Sequence, residues 1–315
     1  MEKGQITGRH GLNLQIQTIS ACNAACVFCP YQESWHKSHP GIMTDKMYQT
    51  IIDETSRYRI GKFCPYLENE PLLDPRLFDR IEYARSRLNF SLLEISTNAF
   101  LLNQTKIDHF SRILPGSSHE IWISFHGIDK ESFKSIMGLD FDICRENVLA
   151  LIEKSQDNDI RIVIRGAGFA RRKRENYPAW FNRKQYFKFW RSEFKNHHFK
   201  KLPEVRFFTY HDRAGQIKRN EINFSTTVRS SLKGFYCHRV DQWLHFLYTG
   251  ELILCCMDYH RTTVFGDMRT KSLSAILGSD EFISLAEQVT GLTPSADEFL
   301  CKKCISPWDG IYTGK

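Results

Sequence analysis

The residues best suited to chemistry are three cysteines near the start of the chain. Cys22, Cys26 and Cys29 lie in the segment CNAACVFC, separated by three and then two residues. Three thiolates on a four-iron cube leave one iron without a protein ligand, which gives a small molecule a place to bind. Zinc is the alternative, although a structural zinc site normally takes four ligands and the next residue of ligand character is His36. The triplet therefore predicts a metal centre.

A second group of cysteines lies near the end of the sequence. The segment LHFLYTGELILCC includes Cys255 and predicts a β-hairpin that turns at Gly250. Cys237 precedes it, and Cys301 and Cys304 follow as a CxxC pair. A four-cysteine zinc site fits this pattern, and so does an iron–sulfur cluster.

Composition supports a role for these thiols as ligands. The 315 residues are 42% hydrophobic and 25% charged, contain no apolar run of 18 residues and begin without the pattern of a signal peptide. We therefore expect a cytoplasmic protein with no membrane segment. In that reducing compartment clustered cysteines are more often metal-binding or catalytic than paired in disulfides.

The elements that must position the first triplet alternate between strand and helix patterns. The triplet follows an alternating apolar strand, and the first helix has Thr44 as its predicted N-cap. Six strands separated by helical patterns indicate a parallel sheet. The predicted strands span 12–20, 62–67, 91–99, 119–127, 160–169 and 204–215, and the predicted helices span 44–58, 75–88, 104–113, 129–138, 144–155 and 279–289.

The triplet, with Phe28 before its last cysteine, resembles the C-x3-C-x-aromatic-C signature of the radical S-adenosylmethionine (SAM) superfamily. Family members usually carry Gly-Glu-Pro after the second strand, where the ammonium of SAM is received. Glu70 and Pro71 match this motif, and Asn69 replaces the glycine. This departure makes the match to the motif imperfect, although Asn tolerates unusual backbone angles better than most residues.

This resemblance implies an α/β fold, a partial (β/α)6 TIM-like barrel, over residues 1–220. It implies a [4Fe–4S] cluster held by the triplet and reductive cleavage of SAM to a 5′-deoxyadenosyl radical, which abstracts a hydrogen atom from the substrate. A reducing partner such as flavodoxin or ferredoxin is expected. Because such barrels place their chemistry at the C-terminal strand ends, cofactor or substrate contacts are predicted at six positions. They are Ser96, Thr97, Asn98, Ser124, His126 and Arg165.

The second cysteine group resembles the C-terminal SPASM/twitch extensions of this superfamily. The shorter twitch form fits better, which implies a small hairpin-plus-helix domain over residues 221–315 and one auxiliary [4Fe–4S] cluster. Its implied ligands are Cys237, Cys255, Cys301 and Cys304. Cys256 alternates with Cys255 along the predicted strand and should point the opposite way. It is either an inert apolar residue or a catalytic hydrogen-atom donor.

The substrate is indicated only by charge. Residues 161–219 hold 17 Lys and Arg against 4 Asp and Glu, within a chain of formal net charge +7. This pattern predicts either an amphipathic helix with a solvated basic face or a patch for an anionic partner. RNA is disfavoured because no recognisable RNA-binding module accompanies the patch.

Three hypotheses for the function follow. The first is an oxidoreductase or epimerase that dehydrogenates or epimerises a sugar-like or other small molecule. The second is a maturase of ribosomally synthesised peptides. The third is a non-catalytic metal- or RNA-binding protein, which the triplet and Glu70 argue against.

Overall fold

The computed structural model describes residues 11–114, 119–158, 160–168, 181–217, 228–235 and 237–304. Nine strands in these residues form one sheet. They are β1 (Leu12–Ile16), β2 (Ile60–Cys64), β3 (Phe90–Thr97), β4 (Glu120–Ser124), β5 (Arg161–Gly168), β6 (Glu204–Thr209), β7 (Trp243–Phe246), β8 (Glu251–Ile253) and β9 (Val264–Asp267). The order across the sheet is β6-β5-β4-β3-β2-β1-β7-β8-β9, and β1 to β6 are parallel.

Helices connect most of these strands. In the described part of the chain they are α1 (Trp35–Ser38), α2 (Asp45–Thr55), α3 (Leu77–Arg87), α4 (Gln104–Ile113), α5 (Lys130–Met137), α6 (Phe141–Ser155), α7 (Arg183–His197), α8 (Arg239–Gln242), α9 (Leu273–Leu277) and α10 (Asp280–Thr290). None of them is long and apolar enough to cross a membrane.

The predicted α/β architecture is confirmed, but the second strand is displaced at both ends. We expected it at 62–67, whereas β2 begins at Ile60 and ends at Cys64. Proline has no backbone N–H to donate to a sheet, so Pro65 ends the pairing. Ile60 is buried and pairs with both Leu12 and Phe90, which extends the strand at its other end. The residues after Pro65 are thereby free to form a loop.

The predicted C-terminal hairpin is confirmed and joins the main sheet. β7 pairs in parallel with β1, and β8 returns antiparallel to β7. Gly250 turns the hairpin at a φ of 91°, and a Cβ atom there would lie 2.7 Å from the sulfur of Met47. Both facts favour glycine at this turn. The predicted domain boundary between residues 220 and 221 lies outside the described residues.

The basic segment contains an amphipathic helix, as one of our two interpretations predicted. In α7 the aromatic residues Tyr186, Trp190 and Phe194 are buried, whereas Lys188 and Arg191 are exposed. The cations of α7 therefore form a solvated face. The strongly basic residues 169–180 lie outside the described residues, and an anionic partner for the segment stays a prediction.

Replacing Trp190 with alanine should lower the free energy of unfolding by about 3–5 kcal/mol. The indole is fully buried and its ring centroid lies 5.0 Å from that of Phe125, so its removal leaves a cavity between α7 and the sheet. Denaturant unfolding under anaerobic conditions measures the change. Lys188→Ala, on the exposed face of the same helix, should stay within about 0.5 kcal/mol of the wild type. Equal losses for the two variants would contradict the burial described here.

Candidate active site

The loop that carries the first three cysteines is held against the end of α5. The backbone N–H groups of Ala25 and Val27 donate to the carbonyls of Met137 and Ile136, both at 2.9 Å. Gly138, which ends α5 at a φ of 72°, lets the loop approach closely, because a Cβ atom there would lie 3.1 Å from the Cβ of Ala25. Backbone contacts, rather than the cysteines themselves, therefore fix the loop.

Two thiols of this loop, those of Cys22 and Cys26, are buried and have raised pKa values. Burial, together with the nearby Glu70 carboxylate, raises the pKa of Cys22 to about 12. Burial and the two other cysteines raise the pKa of Cys26 well above its ordinary value. Thiolates are the ligands that iron–sulfur clusters use, so cluster binding must displace these protons. Three soft donors on one pre-formed loop fit such a cluster.

Glu70 connects the cysteine loop to the end of β3. Its backbone N–H donates to the carbonyl of Ala21 at 2.9 Å. One carboxylate oxygen accepts from the hydroxyl of Thr97 at 2.6 Å and from the N–H of Leu72 at 3.1 Å, and the other accepts from the N–H of Asn98 at 2.8 Å. A carboxylate has about four acceptor positions, so Glu70 keeps capacity for one more donor.

Asn69, which replaces the motif glycine, makes a side-chain contact that glycine could not make. Asn69 is not among the residues with a positive φ, so an unusual backbone angle is not required there. Its side-chain oxygen instead accepts from the N–H of Leu67 at 3.0 Å and closes a turn. Its buried amide nitrogen has no hydrogen-bond partner among the described residues. Pro71 begins a short 3₁₀ turn, Pro71–Leu73, after this motif.

Polar residues on three neighbouring strands form a hydrogen-bonded row: Ser96 and Ser124 lie at the ends of β3 and β4, whereas Arg165, predicted to follow the fifth strand, lies inside β5. The guanidinium of Arg165 donates to the hydroxyl of Ser96 at 3.2 Å and to that of Ser124 at 3.0 Å. It also lies 5.3 Å from the ring centroid of Trp122. These contacts hold the Arg165 guanidinium, which comes from β5, over β4 and close to the end of β3. Site residues of such barrels are expected near the C-terminal ends of the strands.

An aromatic wall lies beside the cysteines. The rings of Phe28 and Tyr210 stack with centroids 4.4 Å apart, and His126 meets Phe28 edge-on at 4.7 Å. Burial and the cation of Arg165 hold the pKa of His126 well below its ordinary value, so the imidazole is neutral. Its Nδ1 atom is buried and has no partner within the described part of the chain. The wall can therefore offer a hydrogen bond to a polar ligand.

These features surround one cavity of about 990 Å³, including the part that is open to solvent. Pro71 does not line it, whereas the other residues predicted around the first cluster do. They are Cys22, Cys26, Phe28, Cys29, Asn69, Glu70, Ser96, Thr97, Asn98, Ser124, His126 and Arg165.

Sequence reasoning missed the residues that follow the sixth strand. Tyr210, His211 and Arg213 also line the cavity. We expected this strand to run from 204 to 215, but β6 ends at Thr209. A prediction that ended the sixth strand at Thr209 would have placed these three residues just after a C-terminal strand end, where site residues are expected. The ring nitrogen of His211 accepts from the N–H of Arg213 at 3.2 Å, and burial together with this arginine lowers its pKa to about 3.

The four predicted auxiliary ligands lie near one another. Cys237, Cys255 and Cys301 belong to one small buried cluster of hydrophobic residues. Burial raises the pKa of Cys304 to about 12, and the adjacent Cys237 contributes to the increase. Burial, with Cys304 and Cys237, also raises the pKa of Cys301. The fold thus brings together thiols that are far apart in the sequence.

Cations complement this cysteine group. Arg229 donates to the backbone carbonyl of Cys304, and both Arg229 and Arg239 lower the pKa of its thiol.

In the described residues, no three His, Cys, Asp or Glu side chains close around a single metal ion. A four-iron cube holds its cysteine sulfurs farther apart than a single ion does.

Strand β8 ends at Ile253, before Cys255 and Cys256, so strand alternation does not fix the directions of the two side chains. Cys255 packs against the cluster that contains Leu254 and Val289, whereas Cys256 packs against Leu67, Leu247 and Ile253. The expectation that Cys256 points away from Cys255 stays a prediction. Their side chains hydrogen-bond to each other, and Cys256 also interacts with His245. The shared hydrogen bond raises the pKa of Cys255 and lowers that of Cys256. Cys256 does not line the cavity described above.

Comparison with known families identifies the chain. The sequence profile of the Radical SAM superfamily matches residues 16–175, just over half of the protein. The chain belongs to the radical SAM superfamily. The profile of SPASM, an iron–sulfur cluster-binding domain, matches residues 237–305, which include all four predicted auxiliary ligands. No curated protein matches the sequence at a significant level.

Solved structures of similar fold cover most of the chain. BtrN in complex with AdoMet and 2-DOIA is 14% identical, with a TM-score of 0.54 over 94% of this chain and 93% of that one. Streptococcus suis SuiB bound to precursor peptide SuiA is 12% identical, with a TM-score of 0.64 over 87% of this chain and 66% of that one. Native anSMEcpe with bound AdoMet is 16% identical, with a TM-score of 0.52 over 87% and 82%. At these identities the three structures show a shared fold.

As a radical SAM protein with a SPASM domain, the chain uses a [4Fe–4S] cluster with SAM and an auxiliary iron–sulfur cluster. The residues present fit this set: three thiols line a cavity with unsatisfied polar atoms, and four more thiols lie beside two cations. The individual ligands and the presence of one auxiliary cluster rather than two stay predictions.

The affinity for SAM should depend on pH through Glu70. Burial raises the pKa of its carboxyl to about 7, and the resemblance assigns it the ammonium of SAM. A cationic ligand favours the ionised carboxylate, so below pH 7 binding must remove a proton. We expect SAM to bind about tenfold more weakly near pH 6 than near pH 8. Equilibrium binding to the anaerobically reconstituted protein measures this dependence.

Glu70→Gln should bind SAM more weakly. Its affinity for SAM should change with pH only as far as the titration of SAM itself requires. Glu94→Gln is the matched control, because Glu94 is a buried carboxylate bonded to Lys62 rather than to the cysteine loop. An identical pH dependence in the wild type and in Glu70→Gln would show that Glu70 does not meet the ammonium group.

Proposed function

We propose that this protein is a radical SAM oxidoreductase or epimerase acting on a sugar-like or other small-molecule substrate. The observation that carries the proposal is the cavity in which the cysteine triplet faces the polar strand ends. Its wall offers hydrogen-bonding groups and the cations Arg165 and Arg213, which suit a hydroxylated and anionic substrate.

The residues of the chain have distinct tasks in this proposal. Cys22, Cys26 and Cys29 hold the first cluster and leave one iron open. The bound cluster and SAM supply the 5′-deoxyadenosyl radical. Glu70 orients the ammonium of SAM, and Arg165, already fixed by two serine hydroxyls, presents a donor to an anionic or hydroxyl group. The buried aromatic wall keeps water away from the reacting centre.

The outcome of the reaction depends on the C-terminal cysteines. In this proposal the four auxiliary ligands hold an electron acceptor next to the C-terminal hairpin, since Cys255 follows β8 by two residues, and this supports a two-electron oxidation of the substrate. A hydrogen atom returned by Cys256 would instead give epimerisation, and the position of Cys256 outside the cavity lining argues for oxidation. A cytoplasmic location and a flavodoxin or ferredoxin as reductant complete the proposal.

The structures of similar fold contain both small molecules and peptides. BtrN is bound to AdoMet and 2-DOIA, and SuiB is bound to a precursor peptide. The reconstituted protein should therefore be given SAM and a reductant with pools of phosphorylated sugars, nucleotide-linked sugars, aminocyclitols or short peptides. We expect a small-molecule pool to increase 5′-deoxyadenosine release and to contain a component that loses two hydrogen atoms. Deuterium uptake from D₂O without that loss would indicate epimerisation. Consumption of peptides alone would overturn the proposal.

A further inference from the structure

A loop from the C-terminal region reaches the first cysteine triplet. Residues 255–263 connect β8 to β9 and begin at Cys255, a predicted auxiliary ligand. Four residues later the hydroxyl of Tyr259 lies 3.6 Å from the sulfur of Cys29, a predicted ligand of the other cluster. One short segment of chain thus contacts both sites, although Cys29 and Tyr259 are 230 residues apart.

The loop is held rigidly. Asp258 is fully buried, and its carboxylate accepts four hydrogen bonds of 2.6–2.9 Å from the N–H and hydroxyl groups of Thr262 and Thr263. The carbonyl of Tyr259 accepts from the N–H of Trp35 at 3.3 Å, and the guanidinium of Arg261 lies 3.9 Å from the ring centroid of the same tryptophan. The phenol of Tyr259 is therefore fixed beside Cys29 by contacts on both sides.

We infer that Tyr259 is a positioning residue that raises the reduction potential of the first cluster through a hydrogen bond to Cys29. A cysteine that binds iron is a thiolate without a proton, so the phenol is the donor and the sulfur the acceptor. A hydrogen bond to a ligand sulfur stabilises the more negative, reduced state of a cluster more than the oxidised state. Reduction of the cluster must precede cleavage of SAM, so this contact favours the first electron transfer.

The test is Tyr259→Phe in the full chain, reconstituted anaerobically with iron and sulfide. A redox titration followed by electron paramagnetic resonance measures the midpoint of each cluster. At a given potential, the ratio of reduced to oxidised first cluster should fall about fivefold, the effect of one net hydrogen bond. The midpoint of the auxiliary cluster should not change. Tyr48→Phe is the control, because its buried hydroxyl donates to the carbonyl of Arg80 and touches no cysteine.

An unchanged midpoint of the first cluster in a Tyr259→Phe protein with full iron content would overturn the inference. If Tyr259→Phe takes up no cluster, the inference is tested on the wild-type protein alone. Electron–nuclear double resonance of the reduced first cluster in H₂O and D₂O should show an exchangeable proton coupled to it, and the lack of one would also overturn the inference. Neither measurement uses a substrate, so the outcome is independent of the substrate proposed above.

Discussion

The variant with Cys22, Cys26 and Cys29 all replaced by alanine is expected to lose about four iron ions per chain and the electron paramagnetic resonance signal that responds to SAM. Release of 5′-deoxyadenosine should fall by at least about a thousandfold, because the cluster that these cysteines are predicted to hold delivers the electron to SAM. Iron and sulfide analysis, spectroscopy and product quantification on anaerobically reconstituted protein measure these effects.

The fold should survive this triple replacement, because the loop is fixed by backbone bonds from Ala25 and Val27 rather than by the thiols. Cys144→Ala is the control: Cys144 is fully buried in α6, and its loss should leave the iron content unchanged. A triple variant that keeps all its iron would refute the assignment. Zinc in place of iron in the wild type would refute the radical mechanism as a whole.

Short-range sequence patterns were sufficient to predict most of the strands and helices. Helix α4 spans the predicted 104–113, and the side chain of Thr44 accepts from the N–H of Met47 as an N-cap. Both follow from interactions within a few residues, which periodicity and capping rules describe. The misplaced end of β2 was also local, since Pro65 was visible in the sequence as a residue that ends strand pairing.

The candidate site could be predicted only where a motif or a strand end marked it. The stacking of Tyr210 on Phe28 and the contact of Tyr259 with Cys29 join residues on distant elements. The periodicity of a few neighbouring residues does not indicate which loops come together when the sheet folds.

Replacing Cys301 and Cys304 together with alanine should separate the two clusters. The protein should lose about four iron ions and keep the SAM-sensitive signal, because the cavity around the first triplet does not contain these residues. Release of 5′-deoxyadenosine should stay within about threefold of the wild type, whereas formation of oxidised product should fall by at least about a hundredfold. Iron analysis and the ratio of product to 5′-deoxyadenosine provide the measurements.

This variant should also be less stable, since Cys301 is part of the same buried cluster as Leu254 and Val289 and the cations Arg229 and Arg239 would face an empty site. Cys256→Ala is the matched control, and it should keep both clusters. If Cys256→Ala instead keeps its iron but loses the product, the thiol is a hydrogen-atom donor and the reaction is an epimerisation. If the double variant makes product at the rate of the wild type, the auxiliary site has a structural role and cannot be the electron acceptor. The two variants together thus distinguish the three roles available to the C-terminal cysteines.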